Sequence, residues 1–373
     1  MSKKILGSIS LLVFLCLGFW ACKKEISGNT TGDVQQIQML QKKAAPTGMA
    51  SLFATGFDDP RGLKFGPDGE LYVAEAGHGG TISSAGFACA QAPPPFGPYF
   101  GSPTGGRISK VNSNGVRTTV TDQLPTALSS VDDHMGPADV AFLNGELYVL
   151  QNGGCSKGLP DHPSGVYRIS NGSAALVGNL SAWQAANPVA NPEPGDFEPD
   201  GAWYSLAAVG SELYAIDANH GELVKISLNG TVSRVVDISA VLGHVVPTAM
   251  DHRGNFYVGN LGTFPIMGNS TVQKINAAGK VQKVAEGLSA ILGLVVDQQS
   301  WIYVLEMTTG APFPTPGAGR ITAISPSGAK SVLVSGLNFP TGMTMGPDGN
   351  LYVSSWGFGM PPGGGQVTKV TLQ

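Results

Sequence analysis

Six polar residues recur at one register along this 373-residue sequence: Glu75, Gln151, Asp217, Asn260, Glu306 and Ser355. Each stands two places after the Val or Ala that closes a short aromatic run. A ring of carboxylates and amides suits Ca²⁺ or another divalent cation, which takes several oxygen ligands. Glu75, Asp217, Asn260 and Glu306 are therefore the metal candidates. The same register also suits a plainer role, because a polar side chain ending a strand accepts hydrogen bonds from the amides of the next loop. Its occurrence in every copy of a repeat favours that role.

Residues that break the repeat carry more specific chemistry. The small position that opens each repeat reads Gly62, Asp139, Ser205, Ala249, Gly293, Gly342, and only Asp139 is charged. The position before it reads Arg61, Ala138, Tyr204, Thr248, Leu292, Thr341. Arg61, Asp139 and Tyr204 are thus expected to meet, either as a ligand site or with Arg61 and Asp139 as an ion pair. His78, His134, His162 and His220 fall in loops, where imidazoles can ligate a metal or move protons; of these His78, His134 and His220 are taken as site candidates. Asp58-Asp59 and Asp132-Asp133 read as acids of turns or caps. Trp203 and Trp356 offer an aromatic platform for a sugar or peptide, or packing between structural units. The sequence has no GxSxG elbow, HExxH helix or Walker phosphate loop. Its two mid-chain cysteines, Cys89 and Cys155, lack zinc spacing.

The elements that must position these residues are six copies of one unit. Each contains a short apolar strand, a turn and an aromatic strand: Leu71-Tyr72-Val73, Leu147-Tyr148-Val149, Leu213-Tyr214-Ala215, Phe256-Tyr257-Val258, Ile302-Tyr303-Val304 and Leu351-Tyr352-Val353. Pro67-Asp68-Gly69, Asn144-Gly145 and Pro347-Asp348-Gly349 supply the positive-φ positions that hairpins need. A second hairpin follows each copy. Four strands per repeat, at roughly 40–50 residues where loops are short, specify an all-β chain: a six-bladed β-propeller of four-stranded antiparallel blades. The last copy stops after its third strand, Gln366 to Leu372, and the missing strand stands at the start as Leu52 to Phe57. The N-terminal strand is therefore expected to close the last blade and remove the free edge. Ser181 to Asn187 reads as a short capped helix between the second and third blades.

In a four-stranded meander the loops between strands two and three share a face with the links between blades. Here those loops are long, at 77–105, 152–164, 261–270 and 308–319, so this face is the expected binding face. Cys89 and Cys155 both fall on it and are expected to pair as a disulfide.

At the N-terminus, Lys3 and Lys4 precede an apolar run from Ile5 to Trp20 that ends at Ala21-Cys22. The run is short for a membrane span and reads as a signal peptide. A small residue before cysteine matches a bacterial lipobox, which implies residues 1–21 as the leader, acylated Cys22 as the membrane anchor, 22–49 as a flexible tether and 50–373 as the propeller. Lys23 lacks the Asp of inner-membrane retention, so the expected address is an exported lipoprotein of the outer membrane. A net charge of -4 with no basic run excludes a nucleic-acid partner, and the chain is expected to be a monomer.

Asp59-Pro60-Arg61-Gly62-Leu63, continuing through Pro67-Asp68-Gly69 to Leu71-Tyr72-Val73-Ala74-Glu75, resembles NHL-type repeats. With Gly259-Asn260-Leu261-Gly262-Thr263-Phe264-Pro265, Tyr303-Val304-Leu305-Glu306 and Phe339-Pro340-Thr341-Gly342 in that order, nearly the whole mature chain resembles the ScyD/ScyE family of exported propellers. The resemblance implies a fold and an export route but no particular reaction. Neighbouring six-bladed families imply more. Gluconolactonase/regucalcin-like enzymes hold a metal with Glu and Asn side chains, which Glu75, Asn260 and Asp217 could imitate. Quinone-dependent sugar dehydrogenases use a catalytic His and several Arg. The expected function is a membrane-anchored propeller that binds a glycan, peptide or protein through its loop-rich face. The alternative is a small-molecule lactonase, hydrolase or quinone-dependent sugar dehydrogenase with its site at the channel mouth.

Overall fold

The computed structural model describes residues 45–310 and 312–373; the expected leader, the acylation site Cys22 and most of the tether lie outside the described residues. Six antiparallel sheets form a ring, the six-bladed propeller the repeats specify. The third blade shows the plan, with strands Trp203–Val209, Glu212–Asp217, Glu222–Ile226 and Val232–Asp237 in spatial order. The aromatic strand is second from the axis in every blade, and its apolar side chains pack between neighbouring sheets. One such cluster joins Tyr148 and Leu150 of the second blade to Trp203, Leu206 and Leu213 of the third. Burial of such layers, at about 25 cal/mol per Å² of apolar area, holds radial sheets together without shared hydrogen bonds.

Closure follows the expected route. Strand Gly48–Phe57 pairs antiparallel with Gly365–Leu372, from Gly48 opposite Leu372 to Phe57 opposite Gly365, with bulges between Leu52 and Ala54 and between Thr55 and Phe57. Ala54 and Phe57 are buried against Leu71, Val73 and Val367. The strand begins two residues earlier than position 50, where the sequence placed the boundary.

Two features modify the repeat. The first blade carries extra strands, Ile82–Ser83 and His134–Met135, and its third and fourth strands lengthen to Phe100–Val111 and Arg117–Leu128. Part of the insertion read as a loop is thus a hairpin extension. The expected helix is Leu180–Ala186, capped by the Asn179 side chain rather than by Ser181. A second short helix, Ile238–Leu242, capped by Asp237, links the third and fourth blades.

Five of the six inner strands share a bulge. Their registers slip between Pro60 and Leu63, Pro137 and Asp139, Trp203 and Ser205, Pro247 and Ala249, and Ile291 and Gly293. A bulge leaves one residue unpaired and re-aims its side chain. In those five blades it turns two consecutive residues toward the axis.

Candidate functional site

Two consecutive residues at the start of each inner strand build two tiers on the axis. The upper tier is Arg61, Ala138, Tyr204, Thr248, Leu292 and Thr341, and all six line a cavity of about 770 Å³ on the loop-rich face. The lower tier is Gly62, Asp139, Ser205, Ala249, Gly293 and Gly342, which surrounds a void of only about 20 Å³. Such a void holds about one water. Tyr204 makes the floor between them: its hydroxyl crosses from the third blade to donate to the Thr341 carbonyl in the sixth, at 3.2 Å. Desolvation pushes the Tyr204 phenol up to about 12, so it stays a neutral donor.

Arg61, Asp139 and Tyr204 therefore do not form one site. Arg61 enters the upper cavity, donates to the carbonyls of Gly357 and His134 at 2.8 and 2.9 Å, and stands 4.0 Å from Asp133. Asp139 points below the floor and accepts from the amides of Val140 and Leu206, both at 2.8 Å. The expected Arg61–Asp139 pair is absent because the bulge sends these side chains to different tiers. Asp139 also explains Gly62: a Cβ there would lie 2.0 Å from the carboxylate. Burial pushes the Asp139 carboxyl up to about 6, against the pull of Lys64.

The cavity wall has two chemistries. Links between the first three blades contribute Asp132, Asp133, Glu193, Asp196 and Glu198. Loops of the last three blades contribute Phe264, Phe313 and Phe358, with Phe264 and Phe313 edge-to-face at 5.6 Å. Glu198 is held by Lys157, whose buried ammonium lies 2.9 Å from it and donates to the Gly201 carbonyl at 2.7 Å. Desolvation raises the carboxyl of buried Glu198 above the ordinary range, while Lys157 opposes it. Behind this wall Cys89 and Cys155 are disulfide-bonded, with Cα atoms 6.3 Å apart. The bond fastens the first-blade insertion to the second-blade loop that carries Lys157.

The metal candidates at the strand ends are not gathered by the fold. Glu75, Asp217, Asn260 and Glu306 lie in the first, third, fourth and fifth blades, and each is bonded within its own surroundings. Glu75 pairs with Arg107 and accepts from the Asp58 amide at 2.7 Å. Glu306 takes a two-pronged pair from Arg320. Asn260 exchanges hydrogen bonds with Thr271. Asp217 accepts from the amides of Ala202 and Asn219 and from His220, whose ring is 2.7 Å away. These side chains staple each blade to its loops, so their oxygens are not free to assemble a Ca²⁺ site. His220 belongs to that staple, packed on Phe197. Trp356 stacks edge-to-face on Phe339 beside the cavity, and it is the neighbouring Phe358 that lines it.

His78 and His134 do come together. Their rings meet edge-to-face at 5.1 Å. His134 Nδ1 contacts Asp59 Oδ2 directly, and His78 Nδ1 lies 3.8 Å from the same oxygen. His134 sits on the extra strand that pairs with Leu128 and lines the cavity; burial holds its imidazole below the ordinary range. Asp59, buried at φ 47°, read from sequence as a turn acid. Glu198 and Lys157 carried no sequence signal beyond charge, and only the cavity reveals them.

No family model matches the chain, and no curated protein matches it. Solved structures do. A protein of unknown function from Bacteroides thetaiotaomicron superposes with a TM-score of 0.57 at 12% identity, over 89% of this chain and 77% of that one. The PQQ-bound aldose sugar dehydrogenase from Streptomyces coelicolor gives 0.55 at 12%, over 89% and 99%. A gluconolactonase from Xanthomonas campestris gives 0.54 at 9%, over 87% and 90%. What these proteins share with this chain is the six-bladed propeller fold.

Proposed function

We propose that this protein is an exported, membrane-anchored propeller of the ScyD/ScyE type that captures a small organic molecule in its axial cavity. The observation that carries the reading is the cavity itself: about 770 Å³, acidic on one side and aromatic on the other. That volume lies within the range of small-molecule sites, roughly 300–1,000 Å³. Carboxylates facing phenyl rings suit a molecule with an ammonium or hydroxyl-rich head and an apolar body. A sugar or a short peptide end meets that description; a flat protein surface does not enter it.

A second reading, hydrolysis of a bound lactone or ester, is favoured by one observation. The His134 imidazole on the cavity wall is held through Nδ1 by buried Asp59, the arrangement by which a carboxylate orients a general base. A quinone cofactor fits less well. Its carboxylates call for several cationic partners, and Arg61 is the one guanidinium lining the cavity among the described residues, facing five acids.

The test uses 2-phenylethylammonium, phenyl β-glucoside and 4-ethylbenzenesulfonate as probes, with tryptophan fluorescence as the readout, since Trp203 lines the cavity. The amine or the glucoside should quench saturably, the sulfonate should not, and Phe313→Ala should weaken the effect about tenfold. Equal response to all three probes, or none, contradicts the reading. Export and anchoring are tested separately, by loss of palmitate labelling in Cys22→Ser.

A further inference from the structure

We propose that Asp59, His78 and His134 bind one divalent d-block ion of the zinc class at the cavity wall. This inference is independent of the cavity ligand. The three side chains come from separate segments: the turn entering the first inner strand, the loop after the second strand and the added strand His134–Met135. Even so, one ligand atom from each lies within 4.8 Å of the others.

Their orientation is that of ligands. Both imidazoles turn Nδ1 to Asp59 Oδ2. Both turn Nε2 to a further carboxylate: Asp58 Oδ1 is 3.9 Å from His78 Nε2, and Asp132 Oδ1 is 3.6 Å from His134 Nε2. Both separations exceed hydrogen-bond length, but they put a carboxylate behind each ring, the position from which an outer partner fixes a metal-bound imidazole. Asp58 is itself fixed by Arg107 at 3.2 Å. An ion about 2.1 Å from every donor sets the donors roughly 3.4 Å apart. The His78–Asp59 separation of 3.8 Å is close to that, whereas His134, in direct contact with Asp59, must move away from it to admit an ion.

A second observation points the same way. Asp59 Oδ1 is buried and has no hydrogen-bond partner, and the Asp59 side chain is 1% exposed. An unpartnered buried carboxylate oxygen is costly, and a structural Asp59–His134 hydrogen bond leaves it unexplained. A cation supplies the missing partner. Four carboxylates, Asp58, Asp59, Asp132 and Asp133, against the two guanidinium groups of Arg107 and Arg61 suit a charge of +2. Two imidazole nitrogens select zinc, cobalt or nickel over Ca²⁺, which takes oxygen ligands. Three protein ligands leave room for water or a cavity-bound molecule, and His134 and Asp132 both line the cavity.

The experiment is Co²⁺ titration of the untagged, full-length protein at neutral pH, read by visible d–d absorption, with Zn²⁺ and Ca²⁺ as competitors. One equivalent should bind, Zn²⁺ should displace it and Ca²⁺ should not. His78→Ala should weaken binding at least tenfold; its side chain is 28% exposed, so the fold should tolerate the change. Asp58→Asn should weaken it about tenfold, and His220→Ala should leave it unchanged. Absence of a stoichiometric d–d spectrum, or His78→Ala binding as tightly as wild type, overturns the proposal. Should His134→Ala fail to fold by circular dichroism, the His78 and Asp58 variants decide.

Discussion

Replacing Arg320 by alanine should destabilise the propeller more than neutralising the glutamate it holds. Glu306 is fully buried and accepts four hydrogen bonds. Arg320 gives two, at 2.6 and 2.9 Å; Thr322 Oγ1 gives one at 2.6 Å and the Ser289 amide one at 2.9 Å. Arg320→Ala removes half of these and the countercharge Glu306 pairs with, leaving a carboxylate in a dry blade interior, which costs about 3–5 kcal/mol. Glu306→Gln keeps the volume and removes the charge. Arg320 is 30% exposed and can turn to water, so the cost there is about 1–3 kcal/mol, that of imperfectly matched hydrogen bonds. The double variant should then be more stable than Arg320→Ala alone by about 1–2 kcal/mol, because it no longer buries an unpaired charge. Urea midpoints of the four proteins measure this, repeated with CaCl₂ and with EDTA. An Arg320→Ala cost under about 1 kcal/mol, or a midpoint that rises with Ca²⁺ only when Glu306 is intact, would refute the structural role of the strand-end carboxylates.

Asp139 makes stability depend on pH. Its folded carboxyl is pushed up to about 6, against roughly 3.9 in an unfolded chain, so the native state binds the extra proton between those values. The associated stability is complete below about pH 4 and lost as pH rises through 6; a shift of about two units is worth about 3 kcal/mol. The urea-derived stability difference between wild type and Asp139→Asn should move by that amount in favour of wild type on going from pH 8 to pH 4, and a flat or opposite trend contradicts it. Removing the Cys89–Cys155 bond, with its sequence separation of 66, should cost at most about 4 kcal/mol by loop entropy. Limited proteolysis should then cut Cys89→Ser/Cys155→Ser within residues 84–99 before the blades unfold; cleavage elsewhere first argues that the bond does not hold the cavity wall.

The blades were legible because each copy repeats a hairpin whose turn and aromatic strand are both local signals. Closure was legible because the sixth copy lacks a strand that Leu52 to Phe57 resembles. The upper and lower tiers were also legible as lists, since a repeat aligns equivalent positions. What those positions do was not. Whether Asp139 meets Arg61 depends on the bulge, and nothing in the residue types reveals that a strand bulges there. Likewise Glu75 and Glu306 look like ligands until Arg107 and Arg320 are found opposite them on the adjacent strand. His78 and His134 stand 56 positions apart, and the strand that carries His134 pairs only with the extended hairpin of one insertion. That contact belongs to tertiary structure, and Asp59 had to be placed before the cluster could be seen.

The most direct measurement is a crystal structure of the protein soaked with 2-phenylethylammonium. The ammonium should lie within hydrogen-bond reach of Asp133 or Glu198, with the ring against Phe313 or Phe358. A cavity without the probe at saturating concentration, or the probe bound only outside it, contradicts the assignment of this cavity as the site of function.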